Sequence, residues 1–273
     1  MRQVHSRPPS ARRPRPPLLG LALVTLAACS TADADDRPDP AQTDAARASS
    51  RGAPEWQPLF DGSSFTGWRG IETEVIPVGH WTIEDGVIRK IASADVPTAA
   101  DGQPLVGGDI MTVATYSDFE LSFEWKVAPG ANSGIKYNVS QVMSVESIPT
   151  TAALGFEYQV LDDDLHPDAL NGETRQAGAL YDMIPPKAEK PLRPVGEFNE
   201  GRIVFVNGHG EHWLNGMKVL EYDVGSERFE ALLAASKYAP IDGFSDLRSG
   251  HIVLQDHSDD VWYRNIQIRV IEP

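Results

Sequence analysis

Asp118 to Val127, read as DFELSFEWKV, is the stretch that most limits what this chain can become. Phe119, Leu121, Phe123, Trp125 and Val127 alternate without a break with Glu120, Ser122, Glu124 and Lys126. A period of two puts every apolar side chain on one side of an extended strand. The same ten residues wound as a helix would scatter them around it. Further strand signals surround this one. Trp81 to Lys90 reads as a hairpin turning at Asp85-Gly86, and His212 to Tyr222 as another turning at Asn215-Gly216. Gly134 to Val139, Gly155 to Leu161 and Gly201 to Val206 are short strand candidates. In Trp262 to Val270, Ile266, Ile268 and Val270 alternate with polar residues. One short helix is expected over Arg228 to Ser236, and no internal repeat is visible. Many short strands with Gly-rich turns predict an all-β fold of two packed antiparallel sheets, a jelly-roll sandwich. Segments 140–153, 162–200 and 237–249 are long loops, the kind that shapes a site.

The first 53 residues do not belong to that pattern. Residues 1–17 are Arg- and Pro-rich without an acid, and a short apolar run, Leu18 to Ala28, follows. This describes an export signal over 1–28, too short to span a bilayer. Leu26-Ala27-Ala28-Cys29 is similar to a bacterial lipobox, and Cys29 is the only cysteine. Cys29 is therefore the expected lipidation site, with 29–53 as a tether of Ala, Asp, Ser, Thr, Arg and Pro. The expected location is the cell envelope, lipid-anchored. Ser30 after the Cys leans this towards the outer membrane. Arg12-Arg13 carries only part of a twin-arginine signal. The folded domain is expected over 54–273. Without the five leader arginines, 19 basic residues face 39 acidic ones, a formal charge of −20. That excludes nucleic acid and anionic lipid as partners of the fold itself. The only membrane contact expected is through the lipid. With one cysteine, the domain must be held by its core or by a metal.

Several phrases share one order with a known family. They are Leu59-Phe60-Asp61-Gly62 with Gly67-Trp68, Trp81 with Asp85-Gly86-Val87-Ile88, and Asp118-Phe119-Glu120-Leu121. Asn132-Ser133-Gly134-Ile135, Gly155-Phe156-Glu157-Tyr158-Gln159 and Ala179-Leu180-Tyr181-Asp182 continue the series. His212 to Gly216 and Gly250 to His257 with Arg264-Asn265-Ile266 complete it. Over Trp56 to Ile271 the chain resembles the 3-keto-disaccharide hydrolase family. The resemblance implies a concanavalin-A-like jelly roll, export, a carbohydrate substrate, and action on glycosides oxidised at the sugar C3.

A 3-keto group makes the C2 hydrogen acidic. A base can then remove it, the C1–O bond breaks by elimination, and water adds afterwards. This route needs a base at C2, a cation or donors at the C3 oxygen, and an acid for the leaving group. Glu157 and Gln159, two apart on a strand, share one face and suit the base and a sugar contact; a solvated outer face predicts the same polarity. Lys136 alternates away from Ile135 and Tyr137 and could stabilise an enediolate oxygen, or be a surface lysine. His257, beside Asp256 and Gln255, suits an acid or base. Glu124, Asn132, Tyr181, Trp213 and Gln255 are further candidates for holding sugar. Trp68 and Trp81 are expected in the core. Asp162, His166 and Asp168 form an acidic loop that could hold a divalent ion: Ca²⁺ or Mg²⁺ by its oxygens, Mn²⁺ or Zn²⁺ by its imidazole. A solvated turn is the alternative, and no organic cofactor is expected. Two other readings remain open at this point. Glu157-x-Gln159-x-x-Asp162 is reminiscent of a laminarinase-like endoglucanase strand, with its middle acid replaced by Gln. A sugar-binding module without catalysis is the other.

Overall fold

The computed structural model describes residues 54–147 and 152–272. The leader, Cys29 and the tether to residue 53 lie outside the described residues. Among the described residues no helix is long and apolar enough to cross a membrane.

Thirteen strands are described. They are β1 (Gln57–Pro58), β2 (Trp68–Gly70), β3 (Trp81–Glu84), β4 (Val87–Lys90), β5 (Ile110–Thr112), β6 (Phe119–Val127) and β7 (Asn132–Val139), followed by β8 (Phe156–Leu161), β9 (Asn199–Val206), β10 (His209–Leu214), β11 (Met217–Asp223), β12 (His251–Leu254) and β13 (Val261–Val270). One sheet runs β11-β10-β9-β6-β13-β4-β3, with β1 added on β13; the other runs β2-β5-β12-β7-β8. Every pairing is antiparallel. The expected two-sheet sandwich is what the chain forms.

The turn chemistry fixes the hairpins. Asp85 (φ 50) and Gly86 (φ 77) join β3 to β4, and Asn215 (φ 46) and Gly216 (φ 83) join β10 to β11. Asn207-Gly208 makes a third such turn between β9 and β10, with φ 51 and 78. Both central residues have positive φ, which Asn, Asp and Gly tolerate best.

Strand β6 buries Phe119, Leu121, Phe123, Trp125 and Val127 against the smaller sheet, as its alternation demands. Ile135, Tyr137, Phe156, Tyr158 and Val160 face them from β7 and β8. Trp68 and Trp81 are buried in the same core. One polar chain crosses it. The Tyr137 hydroxyl lies 2.8 Å from His212 Nε2 and 2.5 Å from the Tyr222 hydroxyl, and His212 Nδ1 lies 3.1 Å from Gly178 O. Burial pushes the His212 pKa down to about 4, so the ring is neutral near pH 7.

Three details differ from the sequence reading. Segment 140–153 contains a helix, α1 (Gln141–Ser147), with Ser140 Oγ accepting the Met143 N–H. The expected short helix is α2 (Glu227–Ala234), capped by Ser226 and buried through Phe229 and Leu233. In β13 a bulge between Arg264 and Gln267 changes the phase, with Asn265 at φ 52. Val261 and Tyr263 face inward before it, Ile266 and Ile268 after it, and Val270 ends exposed.

Candidate functional site

Strands β7 and β8 are buried on both faces. Their inner face is the core. Their outer face carries polar side chains, and the stretches of loops 162–198 and 237–249 around Tyr181 and Lys237 lie over it. Antiparallel register sets Lys136 opposite Glu157 and Gly134 opposite Gln159. Lys136, Glu157 and Gln159 are only 4%, 3% and 1% exposed, so polar alternation here does not mark a solvated surface. Gly134 is required at its position, because a Cβ there would overlap Glu157 Oε1.

The Lys136 ammonium donates to Asp109 Oδ2 (3.0 Å) and to Ala153 O (3.1 Å). Burial alone would lower its pKa, but the Asp109 and Glu157 carboxylates outweigh it and raise the pKa, so Lys136 stays charged. Asp109 also accepts the Ala153 N–H (2.9 Å) and the Asp256 N–H (2.8 Å). The Gln159 amide lies between Glu157 and Asn132. Turned one way it donates to Asn132 Oδ1 at 3.3 Å; turned the other it donates to Glu157 Oε1 and Ser133 O, both 3.2 Å. The second orientation gives Glu157 a donor.

The covering segments contribute the opposite wall. Tyr181 N–H donates to Glu157 O (3.0 Å), and its hydroxyl donates to Asp168 Oδ2 (2.7 Å). Arg175 holds Asp168 Oδ1 at 2.8 Å and Asp182 Oδ1 at 2.8 Å. Burial raises the Tyr181 pKa, helped by the Asp168 hydrogen bond, so the phenol stays protonated. Lys237 N–H donates to Asp182 Oδ2 (2.7 Å), which ties the second segment to the first. Lys237 Nζ lies 3.9 Å from the Tyr181 ring centre and 5.0 Å from that of Tyr238. Burial, and then the Glu157 charge, raise the Tyr238 pKa, so this phenol stays protonated.

At the far end, His166, His257 and Asp259 bring donor atoms within 4.8 Å of one another. The imidazole centres are 5.7 Å apart, and Asp259 Oδ2 accepts the Asn132 N–H at 3.0 Å. His166 Nδ1 accepts the Asp168 N–H (3.1 Å), so the neutral ring carries its proton on Nε2. Burial, and then His257, lower the His166 pKa. Gln255 follows β12 beside Gly134, with Gln255 N–H donating to Gly134 O at 3.0 Å; among the described residues its buried Oε1 has no hydrogen-bond partner. An unpaired buried oxygen is costly, and a ligand hydroxyl would satisfy it.

The structure thus brings together Glu157, Lys136, Gln159, Asn132, Tyr181 and Gln255, with His257 at the rim. It does not gather Asp162, His166 and Asp168 as one donor set. Asp162 accepts Gly130 N–H (2.8 Å), Asp164 N–H (3.0 Å) and Leu165 N–H (3.3 Å), so its carboxylate closes a turn. Asp168 is taken by Arg175 and Tyr181. Asp256 leaves the face for Lys90 (3.0 Å) and Gly108 N–H (2.9 Å), next to a cleft of about 660 Å³ that also meets Asp109.

Glu124 and Trp213 sit on the outer face of the larger sheet, away from Glu157. Glu124 binds Arg264 (2.7 Å), and Trp213 carries Arg202 4.0 Å from its ring centre. Both belong to strands whose inward residues fill the core, so their own side chains point out on the other side of the sandwich.

Sequence reasoning missed Asp109, Lys237, Tyr238 and Asp259. A lone Asp before Ile110-Met111 was the one readable trace of Asp109: an acid at the head of an apolar strand asks for a buried partner. Lys237-Tyr238 sits in a Pro- and Gly-rich loop with nothing periodic to mark it.

The model of the 3-keto-α-glucoside-1,2-lyase-like domain matches residues 55–269. A Bacteroides thetaiotaomicron protein named 3-keto-disaccharide hydrolase is 40% identical over 235 residues, 78% of each chain. Two crystal structures from Parabacteroides distasonis, each named as a candidate glycosyl hydrolase, superpose at TM-scores of 0.66 and 0.59. Their identities are 29% and 26%, over 80% of this chain and 94% and 100% of theirs. The profile covers nearly the whole described domain, and this chain belongs to the 3-keto-α-glucoside-1,2-lyase-like family.

Proposed function

We propose that this protein cleaves 3-keto-glycosides, 3-keto-disaccharides among them, by elimination followed by hydration. The observation that carries the reading is Glu157: a carboxylate under two covering segments, with a cation behind it and sugar-binding amides beside it. Glu157 takes the C2 proton. The electron pair passes through the enediolate of C2 and C3 and forms the C1–C2 double bond as the C1–O bond breaks. The leaving oxygen takes a proton from the His257 end of the site. Water then adds to C1, and C2 regains a proton, giving the 3-keto sugar. Lys136, held by Asp109, keeps positive charge behind Glu157. Asn132, Gln159 and Gln255 offer the donors and acceptors that a pyranose edge needs.

A divalent ion is part of the proposal, at the rim and not in the acidic loop. His257 and Asp259 are its best-placed donors, because the second Asp259 oxygen is not used by the Asn132 N–H. His166 would join them only by giving up the Asp168 N–H at its Nδ1. Such an ion would supply Lewis acidity towards a sugar oxygen. Elemental analysis of protein purified without chelators tests it; metal-free protein of full activity would remove the ion from the reading.

Export and anchoring complete the proposal: cleavage after Ala28, lipid on Cys29, action in the envelope. Cys29→Ser should move the protein from the membrane fraction to the soluble one.

The test of the chemistry is a 3-keto-glucoside offered beside its unoxidised parent in D₂O. The ketone should be cleaved, with deuterium at C2 of the product, and the parent should be inert. Rapid cleavage of the parent without C2 exchange would reverse this and favour ordinary glycoside hydrolysis.

A further inference from the structure

Two lysines flank Glu157, and they are differently placed. Lys136 is buried, and two of the three N–H donors of its ammonium are spent on Asp109 and Ala153 O, with Glu157 as a second negative neighbour. One donor at most remains to offer a ligand. Lys237 enters from the covering segment, on a residue that is exposed. Among the described residues its ammonium has no carboxylate at ion-pair distance, only the faces of Tyr181 and Tyr238. A cation seated on aromatic rings is held in place while its N–H donors stay unspent. The charges that act on it are those of the site itself: Glu157, Lys136, Asp182 and Asp168.

Resting on the cleavage reading above, we propose that Lys237, not Lys136, is the cation that meets the C3 oxygen of the substrate as the enediolate forms. The roles then separate. Lys136 serves the base from behind, and Lys237 serves the oxygen on which charge develops. A donor is worth most where the charge appears only in the transition state. The Asp182 carboxylate, accepting Lys237 N–H, fixes the backbone that carries it.

The experiment compares wild type, Lys237→Met and Lys237→Arg on a 3-keto-glucoside, and follows deuterium entry at C2 of free 3-keto-glucose. Lys237→Met should lower kcat and C2 exchange together by about 10²–10³, the scale of one lost oxyanion donor, with KM within about threefold. Lys237→Arg should restore at least about tenfold of the loss, since the charge returns in a different shape. Unchanged melting temperatures would show that both variants fold. A Lys237→Met enzyme within about threefold of wild type in kcat and exchange would overturn the proposal. So would a rise in KM alone, which would make Lys237 a binding residue of the cover. Mass added to Lys237 by borohydride in the presence of the ketone would replace the ionic contact with an imine and overturn it as well. An inert wild type would sink the cleavage reading itself, which is a different result from an active enzyme indifferent to Lys237.

Discussion

The two outward faces of the sandwich are both polar, and they behave differently. On the larger sheet, Glu120 pairs with Arg269, Glu124 with Arg264, and Lys126 lies 4.3 Å from the Trp262 ring centre. These side chains remain partly in water. Each such pair contributes about 0.2–1 kcal/mol, and salt weakens it. On the smaller sheet, Lys136, Glu157 and Gln159 are almost dry. There a lone charge is costly, and every carboxylate needs its donor. Nothing in the local alternation distinguishes FELSFEWKV from FEYQV. The difference comes from what lies above: the stretches around Tyr181 and Lys237 close over Glu157, whereas, among the described residues, the larger sheet's outer face has only side-chain contacts such as Phe198 against Lys126 and Arg264.

That contrast can be attacked at both ends. The largest expected effect is Glu157→Gln, which keeps the shape and removes the base. We expect kcat on the 3-keto-glucoside to fall by about 10²–10⁴ with the melting temperature nearly unchanged. A loss below tenfold would mean that the covered face is not where the proton leaves.

Next comes the ion pair behind it. Asp109→Ala strands Lys136, and breaking a buried pair from one side costs about 3–5 kcal/mol. Urea unfolding measures this directly; a cost under about 1 kcal/mol would place the pair in the same class as the surface ladder.

The third prediction concerns pH. His212 has its folded pKa depressed to about 4 from an ordinary 6.5. The unfolded chain therefore binds the proton first as pH falls. The neutral ring's contribution is complete above about pH 6.5 and is lost progressively down to about pH 4, near 3 kcal/mol in all. The stability slope over that window should shrink in His212→Gln; an unchanged slope assigns it to other groups.

The smallest effects belong to the open face. Glu124→Gln and Trp213→Ala should each change stability by about 1 kcal/mol or less, and kcat by less than about twofold. A large loss of activity from either would erase the distinction between the faces.

The sandwich was legible because its signals are local. Phe119 to Val127 shows its own period, and Asp85-Gly86 and Asn215-Gly216 show their own turns. Glu157, Gln159, Asn132 and Lys136 were legible for the same reason, as polar members of alternating strands. Which polar face would be covered was not, because burial there depends on residues such as Tyr181 and Lys237, far from Lys136 and Glu157 in sequence. Trp213 and Glu124 were indistinguishable from true members on pattern alone. Lys237 and Asp259 become site residues only through tertiary placement, and Asp162 lost its expected role to three backbone N–H groups, those of Asp164 and Leu165 in its own turn and that of Gly130 beside it.

Asp182 has a consequence for how a substrate gets in. One of its oxygens holds Arg175 of the first covering segment, and the other holds the backbone of Lys237 in the second. Its own backbone sits at φ 59, a conformation a branched residue would resist. Clasped at one carboxylate, the two segments are expected to open together, which would make admission of a bulky sugar one gating event. Amide exchange should then report a shared opening for Tyr181 and Lys237, on a pathway that leaves the protection of β6 untouched.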